Sequence, residues 1–301
     1  VTLPPFDYAR PRSLDEAAAL LRSRDHARVL AGGQSLVPAL AARLPGEPRP
    51  GLLVDLSAIP GLDAIEPRPD GGVRIGAMVR QRTVETSPLI AQRAPLLAAA
   101  VAWVGHPSTR NRGTVVGSLA HAEPRAELPA VAVALDAVAE LAGPDGSRRT
   151  VAAAELLSAA APAPAAATPA PPATATPAPP ATATPARPAA TPAPLGPALA
   201  PGELIAALTI PPRPAGERTA WVEHAARRYD LPLVGVAAVV RADGTARLVF
   251  AGLGPAPVVL DARSIEGRID TRTTALPAPD ALRGRIARVL AERALAEARH
   301  G

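Results

Sequence analysis

Apolar residues in the first sixty positions come in short bursts, each closed by a turn or a capping signal. After a short first strand, Ser13-Leu14-Asp15-Glu16 has the form of a capping box, and residues 17–21 continue it as a helix. Residues 29–31 read as a strand ending at Gly32-Gly33. Residues 52–56 read as a buried strand beyond the Pro/Gly-rich connection 45–51, so a β-α-β unit results. Residues 64–66 and 73–76 flank Pro69-Asp70-Gly71-Gly72 as a hairpin, 89–104 reads as one buried helix, and 128–135 as another. A second hairpin, 137–142 with 148–151, turns at Gly143-Pro144-Asp145-Gly146. Farther on, 204–210 is a strand that returns to this first part. Strands 218–226, 233–240 and 247–252 and an amphipathic helix 279–298 make a second, smaller α+β part. The pattern predicts two domains, 1–212 (subdomains 1–57 and 58–157) and 213–301.

Between residues 158 and 200 the composition collapses to Ala, Pro and Thr. The octad Thr168-Pro169-Ala170-Pro171-Pro172-Ala173-Thr174-Ala175 recurs at 176–183. Repeated X-Pro bonds block helix and sheet ladders, so this stretch is expected to be a solvated insertion in the first domain, outside its core.

Composition narrows the function. With 301 residues, 48% hydrophobic and 20% charged, the chain suits a globular protein of about two domains. No apolar run is long enough to span a bilayer, and Val1-Thr2-Leu3-Pro4-Pro5 has no leader pattern, so a cytoplasmic location is the default expectation. There is no cysteine, hence no thiolate ligand for an iron–sulfur cluster. The net charge of +5 and a pI of about 10.9 raise nucleic-acid binding. Against it, the basic residues are scattered arginines with no lysine, and aromatics are 2% of the chain, which leaves no stacking platform. His121-Ala122-Glu123-Pro124 opens like a zinc deaminase motif but no cysteine pair follows, so no metal is expected. Trp103 and Trp221 read as core residues.

Two glycine segments carry the candidate chemistry: Leu30-Ala31-Gly32-Gly33-Gln34-Ser35-Leu36, and Arg112-Gly113-Thr114-Val115-Val116-Gly117-Ser118-Leu119 some eighty residues later. Glycine permits positive φ and lets backbone N–H groups approach an anion with no Cβ in the way. Two such segments point to one phosphorylated ligand, a dinucleotide. Neither is the G-x-G-x-x-G fingerprint or a P-loop.

The first segment, Ala31-Gly32-Gly33-Gln34-Ser35-Leu36, and the second, Thr114-Val115-Val116-Gly117-Ser118-Leu119-Ala120-His121-Ala122-Glu123-Pro124-Arg125-Ala126-Glu127-Leu128-Pro129, resemble the paired motifs of a known family. It comprises the FAD-binding medium subunits of molybdenum hydroxylases, such as carbon monoxide dehydrogenase, and the flavin domain of xanthine dehydrogenase. Shorter matches run along most of the chain, among them Val54-Asp55-Leu56, Ile75-Gly76-Ala77-Met78 and Pro201-Gly202-Glu203-Leu204-Ile205. The resemblance implies an α+β protein: a two-part FAD-binding domain of the p-cresol methylhydroxylase/vanillyl-alcohol oxidase type, then a small α+β C-terminal domain of the carbon monoxide dehydrogenase flavoprotein type. It implies FAD as cofactor, with molybdopterin and 2Fe-2S clusters on a large and a small partner subunit in a dimer of heterotrimers.

It also implies site residues. Leu30 to Leu36, with Thr114, Val115, Val116, Gly117 and Ser118, would surround the FAD pyrophosphate. Glu127 stands where the family places a carboxylate that bonds FAD hydroxyls; a helix N-terminal acid is the alternative. Glu123 is either a cofactor contact or a turn residue. Two positions depart from the family pattern. Val116 replaces the first glycine of a Gly-Gly pair, which would bring a β-branched side chain to the phosphate path. Leu231 replaces an aromatic that covers the isoalloxazine. No catalytic acid, base or nucleophile is expected, because the chemistry belongs to the cofactor. The reading is an oxidoreductase subunit passing electrons from iron–sulfur clusters to an external acceptor; a flavin-free scaffold subunit and a stand-alone flavin oxidase are the alternatives.

Overall fold

The structure, a computed structural model, describes residues 3–42, 50–158, 199–263 and 278–300. The Ala/Pro/Thr-rich insertion and the segment before the last helix therefore fall almost wholly outside the described residues.

The chain opens with β1 (Asp7–Ala9), α1 (Leu14–Ser23), β2 (Arg28–Leu30), α2 (Leu36–Ala42) and β3 (Leu52–Asp55). The three strands form a parallel sheet in the order β1-β3-β2, so the anticipated β-α-β unit is present with the buried β3 in the centre. At the start of α1 the Ser13 Oγ accepts from the Glu16 N–H at 3.1 Å, while the Glu16 carboxylate reaches back to the Arg12 N–H at 2.8 Å. The capping box thus closes one residue earlier than the motif implies.

Next come β4 (Ile65–Pro67) and β5 (Val73–Gly76), then α3 (Gln81–Glu85), α4 (Pro88–Arg93), α5 (Pro95–Val101), α6 (Pro107–Arg110), α7 (Val115–His121) and α8 (Glu127–Ala134). The single helix read over 89–104 is in fact α4 and α5. Pro95 cannot donate to the previous turn and drives Ala94 to φ −138°, ψ 60°, which ends α4. The second glycine segment, read as a loop, continues directly into α7. Every residue of α8 is buried, as suits a helix that is apolar nearly all round.

The strands β6 (Val138–Ala142) and β7 (Arg148–Ala152), helix α9 (Ala153–Ser158) and β8 (Leu204–Ile210) follow. They complete an antiparallel sheet in the order β4-β5-β8-β6-β7. The strand after the insertion does return, and it takes a central place between β5 and β6. Across this sheet Arg74 donates to Glu140 at 2.9 Å and to Glu66 at 3.1 Å, and Thr209 Oγ1 donates to Glu140 at 2.8 Å. These bonds tie four strands into one register.

The remaining elements are β9 (Arg218–His224), β10 (Val234–Val240), β11 (Thr245–Ala251), β12 (Val258–Arg263) and α10 (Ala281–His300). They form an antiparallel sheet in the order β12-β11-β10-β9 with α10 on one face. The strand β12 was not anticipated; an alternating run after Pro255 and Pro257 carries it. Every residue of β10 is buried because the sheet is covered on both faces. Val234, Val236, Ala238 and Val240 pack with α10, whereas Ala237 and Val239 join Trp221, Val249 and Ala251 in the core of the first part. The two-residue period therefore places one face of this sheet against α5 and α8. No described helix is long and apolar enough to cross a membrane.

Candidate functional site

Because β2 and β3 are parallel, with Leu30 opposite Asp55, the first glycine segment leaves the carboxyl edge of the three-stranded sheet. This is the edge at which parallel sheets gather ligands. Gly33 has φ +73°, a left-handed conformation that glycine adopts without strain. The chain then turns into α2, with the Val37 N–H donating to the Gly33 carbonyl at 3.0 Å and the Ala39 N–H to that of Ser35 at 3.1 Å. Among the described residues, the N–H groups of Gly32, Gly33, Gln34 and Ser35 meet no acceptor. Ser35 is exposed, and Leu30 to Gln34 and Leu36 are partly buried.

The two segments meet. A Cβ at Gly32 would lie 2.6 Å from the Arg112 carbonyl oxygen and 2.7 Å from the Gly113 Cα, so only glycine allows the two backbones this close. A Cβ at Gly117 would lie 2.5 Å from Thr114 Oγ1, with the Ala31 Cβ 3.8 Å away. Thr114 itself is the N-cap of α7, its hydroxyl accepting from the Gly117 N–H at 3.0 Å.

A strip from Val79 to Gln81 clamps the second segment from behind. The Gln81 N–H donates to the Gly113 carbonyl at 2.9 Å, Gln81 Nε2 to that of Thr114 at 3.4 Å, and the Val115 N–H to that of Val79 at 3.3 Å. Arg80 pairs with Thr114 as an isolated bridge and donates to the Arg112 carbonyl. Arg80 also lines a cavity of about 400 Å³ with Ser57, Ile59, Asp63, Met78 and Thr83, beside the carboxyl edge of the parallel sheet. Below, Arg110 is 5% exposed and binds the Glu85 carboxylate at 2.9 and 3.1 Å and the carbonyls of Val104 and Gly105 at 3.1 and 2.7 Å. Arg80, Gln81, Arg110 and Glu85 did not stand out in the sequence, since nothing local marks a residue whose partner is a distant carbonyl.

The side chains of the two valines are directed inward. Val115 and Val116 are 0% and 2% exposed and belong to the hydrophobic core, in the first turn of α7. Position 116 has no positive φ, and its side chain belongs to the core. Ser118 is partly buried on the next turn. Ala122, at φ 50°, closes α7, and Glu123 then pairs with Arg125 at 3.2 Å, which supports the turn role for Glu123. Trp221 is a core residue, 5% exposed, as read from the sequence; Trp103 is 45% exposed and is not. Leu231 is 41% exposed in the β9–β10 connection, two residues after Tyr229, whose φ is +75° and whose ring lies 4.5 Å from that of His106.

Glu127 opens α8 and is 2% exposed. Burial pushes its carboxyl up to about 8, opposed by its own backbone N–H and reinforced by the charge of Glu223. Glu223, on β9, accepts from the Trp221 indole N–H at 3.0 Å, and burial pushes its carboxyl up to about 7. Among the described residues no side chain hydrogen-bonds the Glu127 carboxyl, which suits a buried group that meets a ligand's hydroxyl. The open amides and the glycine-only approach of the two segments fit a phosphorylated ligand such as a dinucleotide. Among the described residues, no group of His, Cys, Asp and Glu side chains is arranged to hold a metal.

Residues 4–167 match the family described as the FAD binding domain in molybdopterin dehydrogenase. The 6-hydroxypseudooxynicotine dehydrogenase complex subunit alpha of Paenarthrobacter nicotinovorans is 36% identical over 80% of this chain and 68% of its own length. The carbon monoxide dehydrogenase medium chain of Afipia carboxidovorans is 32% identical over 83% of this chain and 73% of its own. Other relatives, including the nicotine 6-hydroxylase medium subunit of the same Paenarthrobacter, match over about half their length. Among solved structures, carbon monoxide dehydrogenase from Hydrogenophaga pseudoflava superposes with a TM-score of 0.77 at 27% identity, covering 99% of this chain and 98% of that one. The fold, the meeting of the two glycine segments and these similarities agree: the chain belongs to the family of FAD-binding subunits of molybdenum-containing hydroxylases and dehydrogenases, and is an oxidoreductase subunit.

Proposed function

We propose that this chain is the electron-transfer subunit of a heteromeric molybdenum hydroxylase, taking electrons from iron–sulfur clusters on a small partner and passing them through FAD to an external acceptor. The observation that carries the reading is the contact of Gly32 with the Arg112–Gly113 backbone, which joins two amide-bearing segments into one cradle. In this reading the amides of Gly32 to Ser35 and the Thr114–Ser118 segment hold the pyrophosphate, and Glu127 takes a flavin hydroxyl. Glu123 and Leu231 lie at its margin. The 1–212 part is the FAD-binding domain and 213–301 the C-terminal domain. A large molybdopterin subunit completes the assembly as a dimer of heterotrimers in the cytoplasm.

Bound FAD supplies the electron exchange. In this reading the chain's own residues bind it, orient it and cover it. The names of the relatives support the assembly, since they are subunits of dehydrogenase complexes. A β-branched side chain at position 116 would favour a flavin-free scaffold if it faced the phosphates, and Val116 instead lies in the core. Titration of the cofactor-free chain with FAD and with FMN tests the reading. FAD should bind in a one-to-one ratio with a perturbed visible spectrum, and FMN more weakly, because two amide-rich segments exceed what one phosphate needs. No spectral change with FAD would overturn it.

A further inference from the structure

We propose that Arg80 is a phosphate-binding residue and that the cavity beside it takes the adenosine half of the dinucleotide, so that this corner of the chain selects FAD over FMN. The proposal deepens the FAD reading above and rests on it. Its basis is a guanidinium without a counter-ion. Arg74, Arg110 and Arg247, which are partly or wholly buried, each bind one or two carboxylates. Arg93 is spent on the Arg68 and Gly72 carbonyls of one turn. Arg80 is partly buried as well, yet among the described residues it meets no carboxylate, and the Arg112 carbonyl is its one acceptor. Most of its N–H fork is left for an anion.

The place of Arg80 joins two features. The Arg112 oxygen that holds it is the atom 2.6 Å from the Cβ position of Gly32, where the two glycine segments meet. The same side chain lines the cavity of about 400 Å³ with Ser57, Ile59, Asp63, Met78 and Thr83. A pyrophosphate held on the open N–H groups of Gly32 to Ser35 would bring one phosphate to Arg80, and the group attached to that phosphate would enter the cavity. The lining suits a nucleoside. Ile59 and Met78 are buried and apolar, while Asp63 and the Thr83 hydroxyl have no partner among the described residues. Ser57 Oγ accepts from Arg10 at 3.1 Å and keeps its own O–H to donate. These groups match ribose hydroxyls and a base edge. The dimethylbenzene edge of a flavin would cover them without pairing them, so the adenosine half is the better occupant.

The consequence is selectivity. FAD brings its adenosine-side phosphate to Arg80 and its adenosine to the cavity, whereas FMN has neither group. The preference for FAD should therefore reside in Arg80 and the cavity, and it should weaken with added salt, because a guanidinium–phosphate contact that is only partly buried is screened.

The test is a set of titrations of the full chain with FAD, FMN and ADP, on the wild type, Arg80→Met, Arg80→Lys and Thr83→Trp, with the thermal midpoint of each cofactor-free chain measured alongside. Arg80→Met should weaken FAD and ADP about tenfold or more and leave FMN unchanged. Arg80→Lys keeps the charge without the fork and should recover part of that loss. Thr83 is exposed at the cavity, so Thr83→Trp should fill it and lower FAD and ADP affinity while sparing FMN. An unchanged ratio of FAD to FMN affinity in these variants, or a wild type that binds the two equally, overturns the proposal. If Arg80→Met fails to fold, Arg80→Lys and Thr83→Trp decide it. Absence of flavin binding by the wild type overturns the cofactor reading, and ADP then decides the corner on its own: ADP binding that is lost in Arg80→Met supports it, and ADP binding that is absent or unchanged refutes it.

Discussion

At the scale of single residues, the glycines of the two segments do different things. Gly33 adopts a left-handed φ, whereas Gly32 is needed for closeness, because a Cβ there would stand 2.6 Å from a backbone oxygen. Gly32→Ala should force the segments apart, costing about 1–3 kcal/mol of stability and weakening FAD binding at least about tenfold. Calorimetry and a flavin titration measure both. Val116 tests the opposite intuition. A sequence comparison invites Val116→Gly as a restoration of the family pattern, but the side chain fills the core at the start of α7. The substitution should cost about 2–3 kcal/mol from lost burial and helix propensity and should not raise FAD affinity. A mutant with wild-type stability and tighter flavin binding would refute this.

At the scale of elements, the site depends on what stands behind it. Arg110 joins α6 to α3 through Glu85, whose carboxyl is held below its ordinary value first by Arg110 and then by Arg82. Arg110→Ala would leave that carboxylate with the more exposed Arg82 and strand two carbonyls, so a loss of about 3 kcal/mol is expected. Because the Glu85 pKa is depressed in the folded state, the stability from this pair is present above the unfolded carboxylate pKa and is lost as pH falls through the folded one. The mutant should therefore differ most from wild type near neutral pH and converge with it in acid, as pH-dependent denaturant melts would show. This explains how unevenly the sequence could be read. Capping at Ser13, the strand after the insertion and both glycine segments were legible because their signals are local. The break at Pro95 was also written in the chain, yet an apolar run on both sides of it read as one helix. Glu223 carries no local mark at all. Its place comes from the register of β9, which sets it on the same face as Trp221.

At the scale of the whole molecule, the C-terminal sheet packs between the helices of the first part and α10. Its inner face shares a core with α5 and α8, and its outer face packs on α10, so it is held from both sides. The chain has no cysteine and, among the described residues, no metal-ligating cluster. In the proposed function, electrons arrive from an iron–sulfur partner through a surface of this chain. We expect the FAD-loaded chain alone to show no rapid flavin reduction with aldehydes or N-heterocycles, the kinds of substrate oxidised at a molybdenum centre. Addition of the cysteine-bearing iron–sulfur and molybdenum subunits should restore reduction within the same stopped-flow trace. Flavin bleaching by such a substrate in the isolated chain would instead mean that a substrate bond is activated beside the flavin itself, and the stand-alone oxidase would become the better reading.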